Sequence, residues 1–147
     1  MKKRLMKVFI IILITGFFLN LGWELWHSVL YTTPLSLTLP AYIKLVTNMA
    51  LRDGFWISVF YEFSVLITRN KNPFKKRNQM SIFIVMCLVF SFGIETFSIQ
   101  QARWKYAQNM PILLGVGITP LLQLAITGLI ALGLVFYQKK PTQTPSI

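Results

Sequence analysis

Four acidic residues, Glu24, Asp53, Glu62 and Glu95, and a single histidine, His27, carry the ionisable chemistry of this chain apart from its lysines and arginines. Each lies inside or beside a long apolar stretch. Glu24 and His27 fall three residues apart in NLGWELWHSVLY, residues 20–31. Helical spacing sets Asn20, Glu24, His27 and Tyr31 on one stripe, with Trp23 and Trp26 beside it. A carboxyl next to an imidazole among aromatic rings is equipment for moving protons. Such groups are costly in hydrocarbon, so they are expected to face protein, water or a ligand.

The elements that must position them follow from composition. Of 147 residues, 54% are hydrophobic and 13% charged, and several apolar runs are too long for soluble helices, which places the chain in the membrane class. The pattern predicts an all-α polytopic membrane protein, a bundle of four transmembrane helices at about 8–30, 41–68, 81–101 and 110–137. They form one domain, 1–140, followed by a disordered tail, 141–147. The basic start MKKRLMK and the run VFIIILITGFFL fit a signal peptide in charge and length. No small-residue cleavage site follows, so the segment reads as an uncleaved first helix. Pro34 and Pro40 break the chain before the second helix. In that helix Arg52-Asp53-Gly54 is a possible break. One continuous helix is the expectation, because FWISVFYEFSVLIT alone is too short to span. Gly115, Gly117 and Pro120 predict a kink in the fourth helix, and Gly16, Gly22 and Gly93 are expected at close helix contacts.

The formal net charge is +11, a value that suits nucleic acid or anionic lipid. The cations cluster at the ends of apolar segments, which is membrane topology rather than nucleic-acid binding. Four lie at the N-terminus, five between Arg69 and Arg77 and two at the C-terminus, against Lys44, Arg52, Arg103 and Lys105 elsewhere. This bias predicts an inner-membrane protein with both termini cytoplasmic and anionic lipid headgroups as its partners. The lone Cys87 excludes a disulfide framework. One histidine with scattered carboxylates, and no HExxH or cysteine spacing, points to no metal and no cofactor.

In this topology the outer half of the bundle gathers residues from several helices. Glu24, His27, Asp53 and Glu95 are the expected catalytic groups. Asn20, Trp23, Arg52, Arg103, Trp104, Tyr106 and Gln123 are the expected substrate-binding groups, with Asn48 and Thr119 alongside Asn20 and Gln123 at the floor of an outward-facing pocket. Glu62 lies nearer the cytoplasmic side. The same acids and arginines suit buried ion pairs that only fix helix register, and Trp104 and Tyr106 suit interfacial anchors.

Residues 95–123, ETFSIQQARWKYAQNMPILLGVGITPLLQ, combine an acid with RWxY, MP, GxGxxP and Q. This resembles a pattern in small, uncharacterised bacterial integral membrane proteins, and the resemblance implies no activity. Four helices with a glutamate in the first are similar in architecture to small multidrug transporters. Membrane-embedded sterol isomerases and carotenoid cyclases are similar in setting carboxylates among aromatics, though their motifs are not matched in order. The leading expectation is a membrane-embedded enzyme acting on a lipid or isoprenoid by acid–base chemistry. The alternatives are a proton-coupled transporter or binding subunit, oligomeric, and an accessory protein whose charges register helices.

Overall fold

The computed structural model describes residues 2–137; the expected tail, 141–147, lies outside them. The first apolar run forms α1 (Lys2–His27), which ends in a single 3-10 turn at Ser28–Leu30 and a short α2 (Thr32–Leu35). Next comes α3 (Leu39–Thr68), with Pro40 in its first turn, where a missing amide costs little. It stops at Arg69, whose backbone turns left-handed (φ 53°) and whose N–H closes on the Val65 carbonyl at 2.8 Å. A 3-10 turn, Pro73–Lys75, leads into α4 (Arg77–Gln100), and α5 (Ile118–Tyr137) is the last element among the described residues.

Around the core, α1 packs on α3 and α5, and α4 packs on the same two helices. Buried Ile12, Ile57, Tyr61, Phe83, Leu124 and Leu132 fill the middle. The outward faces are apolar as well. Ile10, Ile14 and Phe18 on α1, Val85 and Val89 on α4, and Ile126, Ile130 and Leu134 on α5 recur one turn apart and are exposed. Three stretches are long and apolar enough to cross a membrane: Leu5–Leu30, Arg77–Gln100 and Ile118–Tyr137. The 30-residue α3 carries Lys44, Arg52, Asp53 and Glu62.

Two glycines set the closest helix approach. A Cβ on Gly54 would stand 2.8 Å from the Leu13 carbonyl oxygen and from the Phe17 nitrogen, and one on Gly16 would stand 3.1 Å from the Gly54 Cα. The α1–α3 crossing therefore falls beside Asp53. Gly22 and Gly93, expected at such contacts, meet nothing within 4 Å; both residues are exposed.

The helix expected to open near Met110 opens instead at Ile118. Before it stands a small antiparallel hairpin, β1 (Ile112–Leu113) and β2 (Val116–Gly117), paired Ile112↔Gly117 and Leu113↔Val116. Its two turn residues, Leu114 and Gly115, have φ of 53° and 83°, as a two-residue hairpin turn requires. The expected kink is absent. Pro120 is the third residue of α5, within the first turn, whose amides have no helical partner to lose. Through Arg52-Asp53-Gly54, α3 is continuous. The end of the molecule carrying this hairpin is called the hairpin end below, and the end with residues 69–76 the loop end.

Candidate functional site

On α1, Asn20, Glu24 and His27 are buried on one face, with Tyr31 beyond the helix end and also buried. The α1–α3 crossing at Gly54 brings Asp53, half-buried, to the same region, and α5 supplies Gln123. Its amide nitrogen, Nε2, lies 2.8 Å from Glu24 Oε1, 2.8 Å from Asp53 Oδ2 and 3.1 Å from Asn20 Oδ1. Thr127, one turn further along α5, has its hydroxyl 3.1 Å from Asn20 Oδ1 and 2.7 Å from the Gln123 carbonyl. An amide nitrogen has two protons and a hydroxyl one. The Gln123 carbonyl is a backbone group that already takes a helical N–H within α5, so the three protons match the three side-chain acceptors on Glu24, Asp53 and Asn20.

Glu95 on α4 has the opposite surroundings. One of its oxygens, Oε1, accepts from the Tyr106 hydroxyl at 2.7 Å, the Tyr31 hydroxyl at 3.0 Å and the Trp104 ring N–H at 3.3 Å. The Tyr106 hydroxyl in turn accepts from the Gly117 N–H at 2.8 Å. Burial first, and then the adjoining Glu95 carboxyl, push both the Tyr31 and the Tyr106 phenol above the ordinary tyrosine value, so both remain donors. The backbone joins the same segments. Tyr31 and Tyr106 form an antiparallel bridge, with Thr32 N–H donating to the Lys105 carbonyl and Ala107 N–H to the Leu30 carbonyl.

Between these groups lies a cavity of about 70 Å³. Its polar wall includes Glu24, Ser28, Tyr31 and Arg103, and its apolar wall includes Pro34, Leu45, Val46, Met49 and Trp104. The Ser28 hydroxyl, 2.9 Å from the Tyr42 hydroxyl, ties its floor to α3. Arg103 is exposed and lies over the Phe97 ring, 5.0 Å from its centroid.

The remaining expected residues distribute unevenly. His27 Nδ1 donates to the Trp23 carbonyl at 3.1 Å and stands 3.9 Å from Glu24 Oε2, too far for a hydrogen bond. Trp23 packs edge-on to Trp26, and its ring nitrogen is buried without a partner. Arg52 and Asn48 are exposed on α3, so neither joins the buried group. Thr119 reaches the Met110 sulfur at 3.5 Å instead of a pocket floor. Glu62 is half-buried further along α3, with one oxygen buried and unpartnered. Thr127 and the Glu95 role of Tyr31 were not expected from sequence. The available signals were Thr127 one turn beyond Gln123 and Tyr31 one turn beyond His27. Among the described residues no cluster of three or more His, Cys, Asp or Glu side chains is placed to hold a metal ion. The chain matches no protein-family model, no curated protein and no solved structure, so the resemblance of residues 95–123 brings no activity to the site.

Proposed function

We propose that the chain is a membrane-embedded enzyme acting on a lipid or isoprenoid, with Glu24 and Asp53 as its proton-transfer pair. In this reading α3 is a fourth span, tilted because its 30 residues run about 45 Å at 1.5 Å per residue. The cation bias puts the loop end and both termini on the cytoplasmic side of a cell membrane and the hairpin end outside. The single observation carrying the proposal is the Gln123 amide nitrogen at 2.8 Å from both carboxyls, with Glu24 also lining the cavity.

In this reading the two carboxyls, drawn to one amide nitrogen, share a single proton. Glu24 delivers it to an alkene carbon or a leaving oxygen of the bound lipid. Both carboxylates then take one N–H each from Gln123, so the amide stabilises the charge that the transfer leaves behind. In the simplest case the substrate cation loses a proton back to the pair, which returns the pair to its starting state and the lipid isomerised. Glu95, already solvated by three donors, is a positioning residue that holds the Tyr31–Trp104 wall. His27, fixed to the Trp23 carbonyl, sets the end of α1. Asn20 completes the amide network, and membrane lipids are the partners.

A second reading, proton-coupled transport by an oligomer, is favoured by the small cavity volume, which suits part of a ligand crossing between copies. Glu24→Gln and Asp53→Asn separate the readings. After confirming a monodisperse, normally melting protein, membranes bearing each variant are profiled by lipid mass spectrometry, and proteoliposomes are assayed for proton flux. Loss of the product lipid by at least about 100-fold is expected. Proton flux that both variants abolish, with an unchanged lipid profile, moves the assignment to transport. Folded variants that change neither reading reduce the charges to helix registration and overturn the proposal.

A further inference from the structure

The cavity holds two charged side chains, and they differ in access. Glu24 is 3% exposed, whereas Arg103 is exposed. Arg103 therefore marks the mouth and Glu24 the interior. Among the described residues no carboxylate pairs with Arg103, and its guanidinium rests on the Phe97 ring. Stacking of that kind occupies the face of the guanidinium and leaves its N–H edge free for a bidentate anion.

The surroundings have the same sign. Lys44, Arg103 and Lys105 are all exposed at the hairpin end. The only ion-pair contact among the described residues joins Glu24 and His27. The acids of this end, Glu24, Asp53 and Glu95, are turned inward, so the field at the mouth is positive and selects an anion. The rest of the wall offers Pro34, Leu45, Met49 and Trp104 to a chain. At about 70 Å³ the cavity holds roughly two waters' volume, enough for the first atoms of a chain beside its head.

We infer that this cavity takes a lipid with a phosphate head, the head on Arg103 and the first carbons of the chain against Leu45, Met49 and Trp104. The inference rests on the reading of the cavity as the substrate site, and it sharpens that reading. With the head fixed at the mouth, the bond that Glu24 reaches lies within the first few atoms of the chain.

Farnesyl phosphate, farnesol and inorganic phosphate are suitable probes, titrated into the full-length protein in neutral detergent by calorimetry. Farnesyl phosphate should bind roughly ten- to a hundred-fold tighter than farnesol, the worth of a charge-assisted bidentate contact. Arg103→Ala should bring the two affinities together, and Arg103→Lys should keep part of the gap. Inorganic phosphate at millimolar concentration should neither bind nor compete. Competition by it would assign the mouth to free phosphate and overturn the lipid. Equal binding of farnesol, or an Arg103→Ala variant with its preference intact, would overturn the phosphate head. Glu24→Gln keeps Arg103 and should keep the preference while losing turnover. Loss of turnover without loss of preference therefore tests the chemistry, and the reverse tests the head.

Discussion

Glu95 and the Glu24–Asp53 pair are carboxyl sites of one end of one molecule, built on opposite plans. Three donors from Tyr31, Trp104 and Tyr106 converge on a single Glu95 oxygen, whereas two carboxyls divide the protons of one Gln123 amide. Three donors on one oxygen offset the cost of burying the Glu95 carboxyl. Two carboxyls set on one amide repel when both are charged, which favours holding a proton between them, and the amide has an N–H for each member once that proton leaves. In the proposed function the difference separates a fixed strut from a movable proton. It also explains why three acids at one end of the molecule need not share one task.

Glutamine in place of each glutamate tests this contrast most strongly. Glu95→Gln replaces the carboxyl that three donors are arranged around, and it should lower stability by about 1–3 kcal/mol in thermal unfolding. Glu24→Gln removes one of two like-charged carboxyls from a shared amide, and it should leave stability unchanged or raised even as the proposed activity is lost. Equal losses from the two would erase the distinction. Gly54→Ala should cost about 1–3 kcal/mol by forcing α1 and α3 apart. It should disable the Asp53 site while sparing Glu95, whose partners lie elsewhere. Gly22→Ala, in open space, is the matched control and should change melting little. Tyr106→Phe is the mildest. It removes one of three donors to Glu95 and the acceptor of the Gly117 N–H. A loss of about 1 kcal/mol, with faster amide exchange confined to residues 112–117, would place Tyr106 as the link between strut and hairpin.

Much of the site was legible because period and cost act together. The stripe from Asn20 to Tyr31 is buried along its length, as a polar row in an apolar helix must be. Asp53 and Gln123 are each the sort of group that hydrocarbon expels toward protein. Arg52 misled because adjacency in sequence is not adjacency in space. One residue rotates a helical side chain by about 100°, which leaves Arg52 outward while Asp53 turns in. The hairpin was hidden for another reason. ILLGVGIT is unbroken in apolarity, and short apolar runs do not distinguish strand from helix by period. The signal available was Gly115 in a two-residue turn between two such pairs. A left-handed Leu114 beside it is not something its residue type predicts. Gly54 was legible only as a possible break, because its function is visible from the α1 backbone and not from its own neighbours in sequence.

The bridge between Tyr31 and Tyr106 joins segments about half the chain apart, and Gln123 lies 99 residues from Glu24 and 70 from Asp53. Both carboxyls are therefore made early in synthesis and the amide between them late. During biogenesis the first helical half is made with its acids unmatched, and the amide that joins them arrives only with the second half. The division falls at residues 69–76, so a chain nicked there consists of two complementary pieces, each holding part of this network and able to complete it only on meeting.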